Sequence, residues 1–319
     1  MHPPNPTRAV HFAPTDPGTD WVKDPGVAID VPSEPGHWKA LTPNVIALPS
    51  GGFRMYYTLA GPGFDYGVTP GSILSAFSPD GDRWQKEPGV RLAPFGPDAD
   101  LRVVCPDVIP LDGGGYRMYV EGQPSDRPSS ILSATSSDGL AWEPEPGIRF
   151  GDGRGRYGSP RCLYTTDDAA ARGRFRLYFH RYTHPLRFGL DAGNHIVSAI
   201  SADGLSFEEE PGVRIEQAGE LQTFSVYAPE ALRLGDGRYR MYYAGWTVEP
   251  VRGRIFSATS ADGVTWTRNE DAVVTFGGRY DREKCSEPSV IRLADGRYRM
   301  FYEACDEDQV WRILSCTTR

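Results

Sequence analysis

The chain has 319 residues, of which 36 are Gly and 28 Pro, with 12% aromatic and 24% charged side chains. That punctuation favours many short strands joined by tight turns and leaves little room for long helices. The formal charge of -8, from 42 acidic against 34 basic residues, is not the electrostatic footprint of a nucleic-acid or anionic-membrane binder, so a small-molecule or oligosaccharide ligand is the expected partner.

In chain order, the opening MHPPNPTRAV lacks the apolar core of a secretory signal, and no apolar run reaches the roughly 20 residues that span a bilayer. Cys105, Cys162, Cys285, Cys305 and Cys316 form no CxxC pair, and their odd count argues against a disulfide framework. The expectation is a cytoplasmic chain with reduced thiols. Residues 1–20 read as an N-terminal extension and 21–319 as a single domain.

From Trp21 onward the sequence repeats. One segment ends in a Ser-Asp-Gly turn: ILSAFSPDGDRW from Ile73, ILSATSSDGLAW from Ile131, IVSAISADGLSF from Ile196, IFSATSADGVTW from Ile255 and a truncated ILSCTTR from Ile313. The first three run on into EPGV or EPGI. Upstream of each lies PNVIALPSGGFRMYY from Pro43, PDVIPLDGGGYRMYV from Pro106, PRCLYTTDDAAARGRFRLYF from Pro160, PEALRLGDGRYRMYY from Pro229 and PSVIRLADGRYRMFY from Pro288. Apolar alternation broken by Gly-rich turns makes each repeat four antiparallel strands. The anchoring prolines are spaced by 63, 54, 69 and 59 residues, which suits the blades of a β-propeller.

The last copy stops one strand short. Trp21 followed by DPGV matches Trp84 followed by EPGV, so the N-terminal strand is expected to complete the last blade and close the ring. The expected fold is therefore all-β, a five-bladed propeller with four antiparallel strands per blade.

Alternating strand direction puts the short Gly and Asp-Gly turns on one face and the long, chemically varied loops on the other, where binding residues concentrate. Residues flanking each shared proline have the same parity: Thr42/Asn44, Cys105/Asp107, Ser159/Arg161, Ala228/Glu230 and Glu287/Ser289. They offer an inner ring containing Asp107, Arg161, Glu230 and Glu287, whose plain structural use would be buried ion pairs. Second-strand ends add Glu121, His180, Arg181, Trp246 and Glu303; Tyr227 lies on the fourth inner strand, and Arg102, Arg161, Arg181 and Lys284 border the funnel. His180 with His184 is a weak metal signal without assigned carboxylates, and no metal or cofactor is expected. Cys105 and Cys285 read as buried, inert thiols.

The five blades, the xPxV start of each inner strand, the YRMYY-type second strands and the SxDGxxW turns together resemble the arabinanase, xylosidase and invertase superfamily of glycoside hydrolases, over roughly residues 21 to 319. The resemblance implies acids on the inner strands of the first, third and fourth blades. This sequence has Thr42 and Asn44 in the first and Ser159 and Arg161 in the third; Glu230 matches the general-acid region, but follows its proline where the family residue precedes it. The related mannoside phosphorylases use phosphate as the attacking group and need one catalytic carboxyl.

Glycoside hydrolysis generally needs one carboxylic acid and one carboxylate, about 5 to 5.5 Å apart for retention and about 6.5 to 9.5 Å for inversion. Glu230 as acid with Glu287 or Asp107 as partner is the expected catalytic set, and Asn44, Arg102, Glu121, Arg161, His180, Arg181, Tyr227, Trp246, Lys284 and Glu303 are the expected substrate contacts. A non-catalytic sugar- or protein-binding propeller, and a propeller enzyme acting on a non-carbohydrate small molecule, remain open alternatives.

Overall fold

The alternating runs fold as strands because each can bury one face against a neighbouring sheet. The computed structural model describes residues 10–32, 36–63, 68–164, 175–183 and 193–319; within them the chain is all β, with 21 strands in one connected network. β1 (Phe12–Ala13) and β2 (Trp21–Lys23) precede the repeats. The first repeat holds β3 (Lys39–Ala47), β4 (Phe53–Ala60), β5 (Gly71–Ser78) and β6 (Gln85–Lys86), and the second β7 (Arg102–Pro110), β8 (Tyr116–Gln123), β9 (Ser130–Ser136) and β10 (Glu143–Pro144). The third holds β11 (Tyr157–Tyr164), β12 (Phe175–Tyr182), β13 (Asn194–Ser201) and β14 (Glu208–Glu209), and the fourth β15 (Ser225–Leu234), β16 (Tyr239–Val248), β17 (Val251–Ser260) and β18 (Thr267–Arg268). The last contributes β19 (Lys284–Arg292), β20 (Tyr298–Cys305) and β21 (Trp311–Thr318).

Successive strands of a repeat pair antiparallel, and β2 supplies the missing fourth strand of the last one, with Trp21 opposite Thr318, Val22 opposite Thr317 and Lys23 opposite Cys316. Single parallel bridges link one repeat to the next: Gly71 to Arg102, Asn194 to Ser225 and Gly253 to Lys284. Trp311 to Lys39 joins the last repeat to the first in the same way.

The Asp-Gly turns do a second job. Gly81, Gly139, Gly204 and Gly263 sit at φ of 79°, 74°, 72° and 74°, a conformation that costs glycine nothing. Their carbonyls become acceptors for the preceding repeat: Tyr56 Oη donates to Gly139 O, Tyr119 to Gly204 O and Tyr178 to Gly263 O. In the last repeat Phe301 lacks the hydroxyl, and Arg299 donates to Gly81 O instead. The remaining partner comes from the N-terminal segment, where Tyr242 Oη donates to Gly18 O and Arg240 clamps Asp16.

Residues 10–20 are thus not a loose extension. Besides that latch, β1 pairs in parallel with Arg233 and Leu234, because the β15 end offers an open edge that the two residues satisfy. The apolar core lies between neighbouring repeats. Ile46 and Tyr56 pack with Val108 and Met118, and Val45, Met55 and Tyr57 pack with Ile291, Phe301 and Ile313 across the first and last repeats.

Candidate active site

The inner strands β3, β7, β11, β15 and β19 converge, and each is interrupted at its proline. The ladder with the second strand slips between Leu41 and Asn44, Val104 and Asp107, Gly158 and Arg161, Tyr227 and Glu230, and Ser286 and Ser289. At each slip the residue before the proline is left-handed: Thr42 at φ 51°, Cys105 at 55°, Ser159 at 45°, Ala228 at 53° and Glu287 at 51°. A side chain with a Cβ in this region, ahead of a proline, is strained, and bulges of this kind re-aim side chains. The flanking pairs expected to form one ring are accordingly divided into two hydrogen-bonded levels.

The lower level is made of the residues after the prolines. Asn44 Oδ1 accepts the Val108 amide, Asp107 Oδ2 the Cys162 amide, Glu230 Oε1 the Val290 amide and Ser289 Oγ the Val45 amide. Each side chain thereby binds the backbone of an inner strand in another repeat. Arg161 has no acceptor, so it breaks this pattern and donates: Nε to Glu230 Oε2 at 3.0 Å, Nη1 to Pro106 O and Pro160 O, Nη2 to Pro43 O. Asn44 Nδ2 donates to Asp107 Oδ1 at 3.1 Å.

His11, from the N-terminal segment, plugs this level. Its Nε2 lies 2.8 Å from Asp107 Oδ1 and its Nδ1 3.7 Å from Glu230 Oε1. Burial alone would push the imidazole pKa down, but the two carboxylates overcome it and hold it at about 10. Two cations thus face two carboxylates, and every oxygen of Asp107 and Glu230 is engaged. Asp107 and Glu230, expected to be catalytic, therefore sit in a saturated structural belt, as does Arg161, expected at the funnel.

The upper level, toward the longer loops, is different. The second-strand residues at the equivalent register are Thr58, Glu121, His180, Ala244 and Glu303, opposite Leu41, Val104, Gly158, Tyr227 and Ser286. With Cys105, Ser159 and Glu287 they bring three carboxyl groups and an imidazole together. Glu287 Oε1 accepts from Ser159 Oγ at 2.9 Å, while Oε2 is buried and has no partner among the described residues. Burial first, and then the charge of Glu303, raise the Glu287 pKa to about 8. Glu303 accepts from Ser286 Oγ at 2.7 Å and from the Thr42 amide at 3.1 Å; burial lifts it to about 7 against those bonds. Glu121 is also raised, by burial, with Arg102 and Arg156 opposing.

His180 has both ring nitrogens buried and unpartnered among the described residues, and burial with the nearby Arg156 charge lowers its pKa to about 3, so the ring is neutral. A Cβ on Gly158 would come within 2.0 Å of Glu121 Oε2 and 2.8 Å of His180 Nε2, so the glycine is what admits both groups. Edge-on aromatic contacts continue from His180 to Tyr182 on one side and Tyr227 on the other, and from Tyr227 to Trp246 at 5.7 Å. Lys284 Nζ sits 4.8 Å from the Trp246 ring and 5.3 Å from that of Trp311.

Of the other expected contacts, Asn44 lies in the lower belt and Arg102 is fully buried, reaching Thr69 O at 3.4 Å. Arg181 does not border the funnel: it follows His180 in β12, so alternation turns it outward, where it pairs with Glu209 at 2.7 Å. His184 and most of its loop fall outside the described residues. No group of three or more His, Cys, Asp or Glu among the described residues is arranged to hold a metal. The five cysteines are buried and free.

Sequence reasoning passed over Arg156, Tyr182 and His11. A periodic signal existed for the first, since Lys39, Arg102, Arg156 and Lys284 all stand three residues before the left-handed position. Nothing comparable marks His11, whose partner Asp107 is 96 residues away.

No family model matches the chain. Two uncharacterized proteins from strains of Mycobacterium tuberculosis are 28% identical over 218 residues, 65% of this chain and 70% of theirs. Among solved structures, a glycoside hydrolase is similar at TM-score 0.77 and 17% identity, covering 93% of this chain and 92% of its own. A thermostable family-43 glycoside hydrolase is similar at 0.68 and 15%, over 90% and 91%, and a β-1,2-mannobiose phosphorylase from Listeria innocua, in complex with β-1,2-mannobiose, at 0.71 and 14%, over 94% and 96%. The chain shares its all-β fold with these propeller-type glycoside hydrolases.

Proposed function

We propose that the repeats are five blades of a closed propeller and that the chain is a carbohydrate-active enzyme, cleaving or transferring a glycosyl unit at the upper level of its axis. The observation that carries this reading is Glu287: a buried carboxyl with one oxygen unpartnered among the described residues and a pKa raised to about 8, beside a second carboxyl raised to about 7. Two carboxyl groups whose surroundings favour different protonation states are what acid/base cleavage of a glycosidic bond requires.

Glu287 takes the acid role in place of Glu230. Its Oε2 carries the proton to the leaving oxygen, and the carboxylate left behind is steadied at Oε1 by the Ser159 hydroxyl. Glu303 is the readier of the two to ionise, because two donors already stabilise its charge, and it serves as the base that activates the attacking water or phosphate. Neutral His180 offers one donor and one acceptor to sugar hydroxyls, and the Tyr227 and Trp246 edges offer apolar surface to a sugar face.

The test is a screen of aryl-glycosides and oligosaccharides, with and without phosphate, on the intact chain. Glu287→Gln should lower turnover by about 10²- to 10⁴-fold, the usual weight of a general acid, and the rate should fall as pH rises past about 8. Turnover that survives Glu287→Gln contradicts the assignment.

A further inference from the structure

We propose that Ser159 and Cys105 form a proton wire that joins Glu287 to Glu121. The wire rests on the acid role given to Glu287 above and extends it to how that acid regains its proton.

Three of the five left-handed residues meet at their bulges, Ser159 lying within hydrogen-bond reach of both Cys105 and Glu287. Ser159 Oγ lies 2.9 Å from Glu287 Oε1 and 3.5 Å from Cys105 Sγ, and Cys105 Sγ lies 3.7 Å from Glu121 Oε2. Every member is buried, so water does not compete along the path. A hydroxyl and a thiol each donate one hydrogen and accept others, so the chain supports two complete settings. With Glu287 protonated, Glu287 O–H donates to Ser159, Ser159 O–H to Cys105 and Cys105 S–H to the Glu121 carboxylate. With Glu121 protonated, all three bonds point the other way.

Passing between the settings moves one proton from carboxyl to carboxyl. Glu121 gives its hydrogen to Cys105 Sγ, the thiol hydrogen passes to Ser159 Oγ, and the serine hydrogen passes to Glu287 Oε1. Each intermediate atom loses one hydrogen and gains one, so no thiolate or alkoxide is left behind. That suits a thiol whose pKa is driven well above its ordinary value by burial and the neighbouring carboxylates. After Oε2 has protonated a leaving oxygen, the wire delivers a proton to Oε1 from the protected side while the sugar still blocks the open one. Once the product leaves, rotation of the carboxyl group exchanges its two oxygens and turns that O–H to the open side. Ser159 and Cys105 are positioning residues, since neither touches the substrate.

The experiment follows the Cys105 S–H stretching band by infrared spectroscopy on the intact, ligand-free protein, the band being identified by its loss in Cys105→Ala. As pH rises through the Glu287 titration, Ser159 turns from donating to Cys105 to donating to Glu287, and the band should shift at that midpoint. In Ser159→Ala the band should remain and its shift should be lost. A Glu121→Gln variant should move the band to higher frequency at every pH, because the carboxamide is the weaker acceptor. A band that stays still in the native chain overturns the wire. So does a shift of equal size in Ser159→Ala, which would be the field of the Glu287 charge alone. No substrate is involved, so a chain that cleaves no glycoside and passes this test keeps the wire and loses the enzyme reading.

Discussion

The two levels of the inner strands differ by the two-residue step across one proline, and they hold the same kinds of side chain to opposite ends. Below, Asp107 and Glu230 face Arg161 and His11, and each oxygen has a donor. Above, the charges of Arg102 and Arg156 near Glu121 and of Lys284 near Glu303 do not offset burial, and among the described residues Glu287 Oε2 and both His180 ring nitrogens have no hydrogen-bond partner. Buried charge is tolerated when it is paired and hydrogen-bonded, and unpaired buried groups persist where something else requires them. Glu230 and Glu287 are both buried acids beside a proline, yet only the second retains bonding capacity.

That contrast can be broken from below most severely. Arg161→Met should leave Glu230 buried without its cation and strip bonds from the Pro43, Pro106 and Pro160 carbonyls; removing one partner of a buried pair costs about 3–5 kcal/mol, and the loss is read by chemical denaturation. His11→Asn should act less strongly but with a pH signature. The native His11 pKa of about 10 lies above the ordinary 6.5, so its contribution is full below about 6.5 and is lost as pH rises toward about 10. Denaturation curves across that window should slope downward for the native chain and flatten in the variant.

From above, Glu287→Gln should sharpen the contrast by raising stability. Its native pKa of about 8 exceeds the unfolded 4.5, so the unfolded state loses its proton first and native stability declines as pH climbs between those values. The variant escapes that decline and should melt a few °C higher at pH 8 than the native chain, with little difference near pH 4. The smallest expected change is Tyr119→Phe, which removes one latch to Gly204 and should cost about 1 kcal/mol, by thermal or chemical denaturation, without altering turnover.

Much of the architecture is legible in the sequence because repetition advertises it. The Ser-Asp-Gly turns and the prolines fix strand number and order within each repeat, and the match of Trp21 to Trp84 foretells the pairing of β2 with β21. The site is legible in position more than in role. Glu287 precedes its proline and Glu230 follows its own, but equal parity alone puts both on one ring, and it does not tell that the residue before the proline is left-handed and faces the open level while the one after it enters a belt. That distinction depends on the bulge, on His11 arriving from a segment that shows no repeat, and on Arg161 bonding the carbonyls of other inner strands. Arg181 shows the opposite error: its neighbour His180 faces inward, and simple alternation already turns Arg181 out.

The central claim is that the upper level keeps a protonated carboxyl, that of Glu287, at neutral pH. Infrared spectroscopy of the carboxylic C=O stretch at pH 7 tests it directly, comparing the native chain with Glu287→Gln and Asp107→Asn. A protonated-carboxyl band should be present, weaken in Glu287→Gln and stay unchanged in Asp107→Asn. A band that keeps its full strength without Glu287, or that goes with Asp107, would contradict the claim.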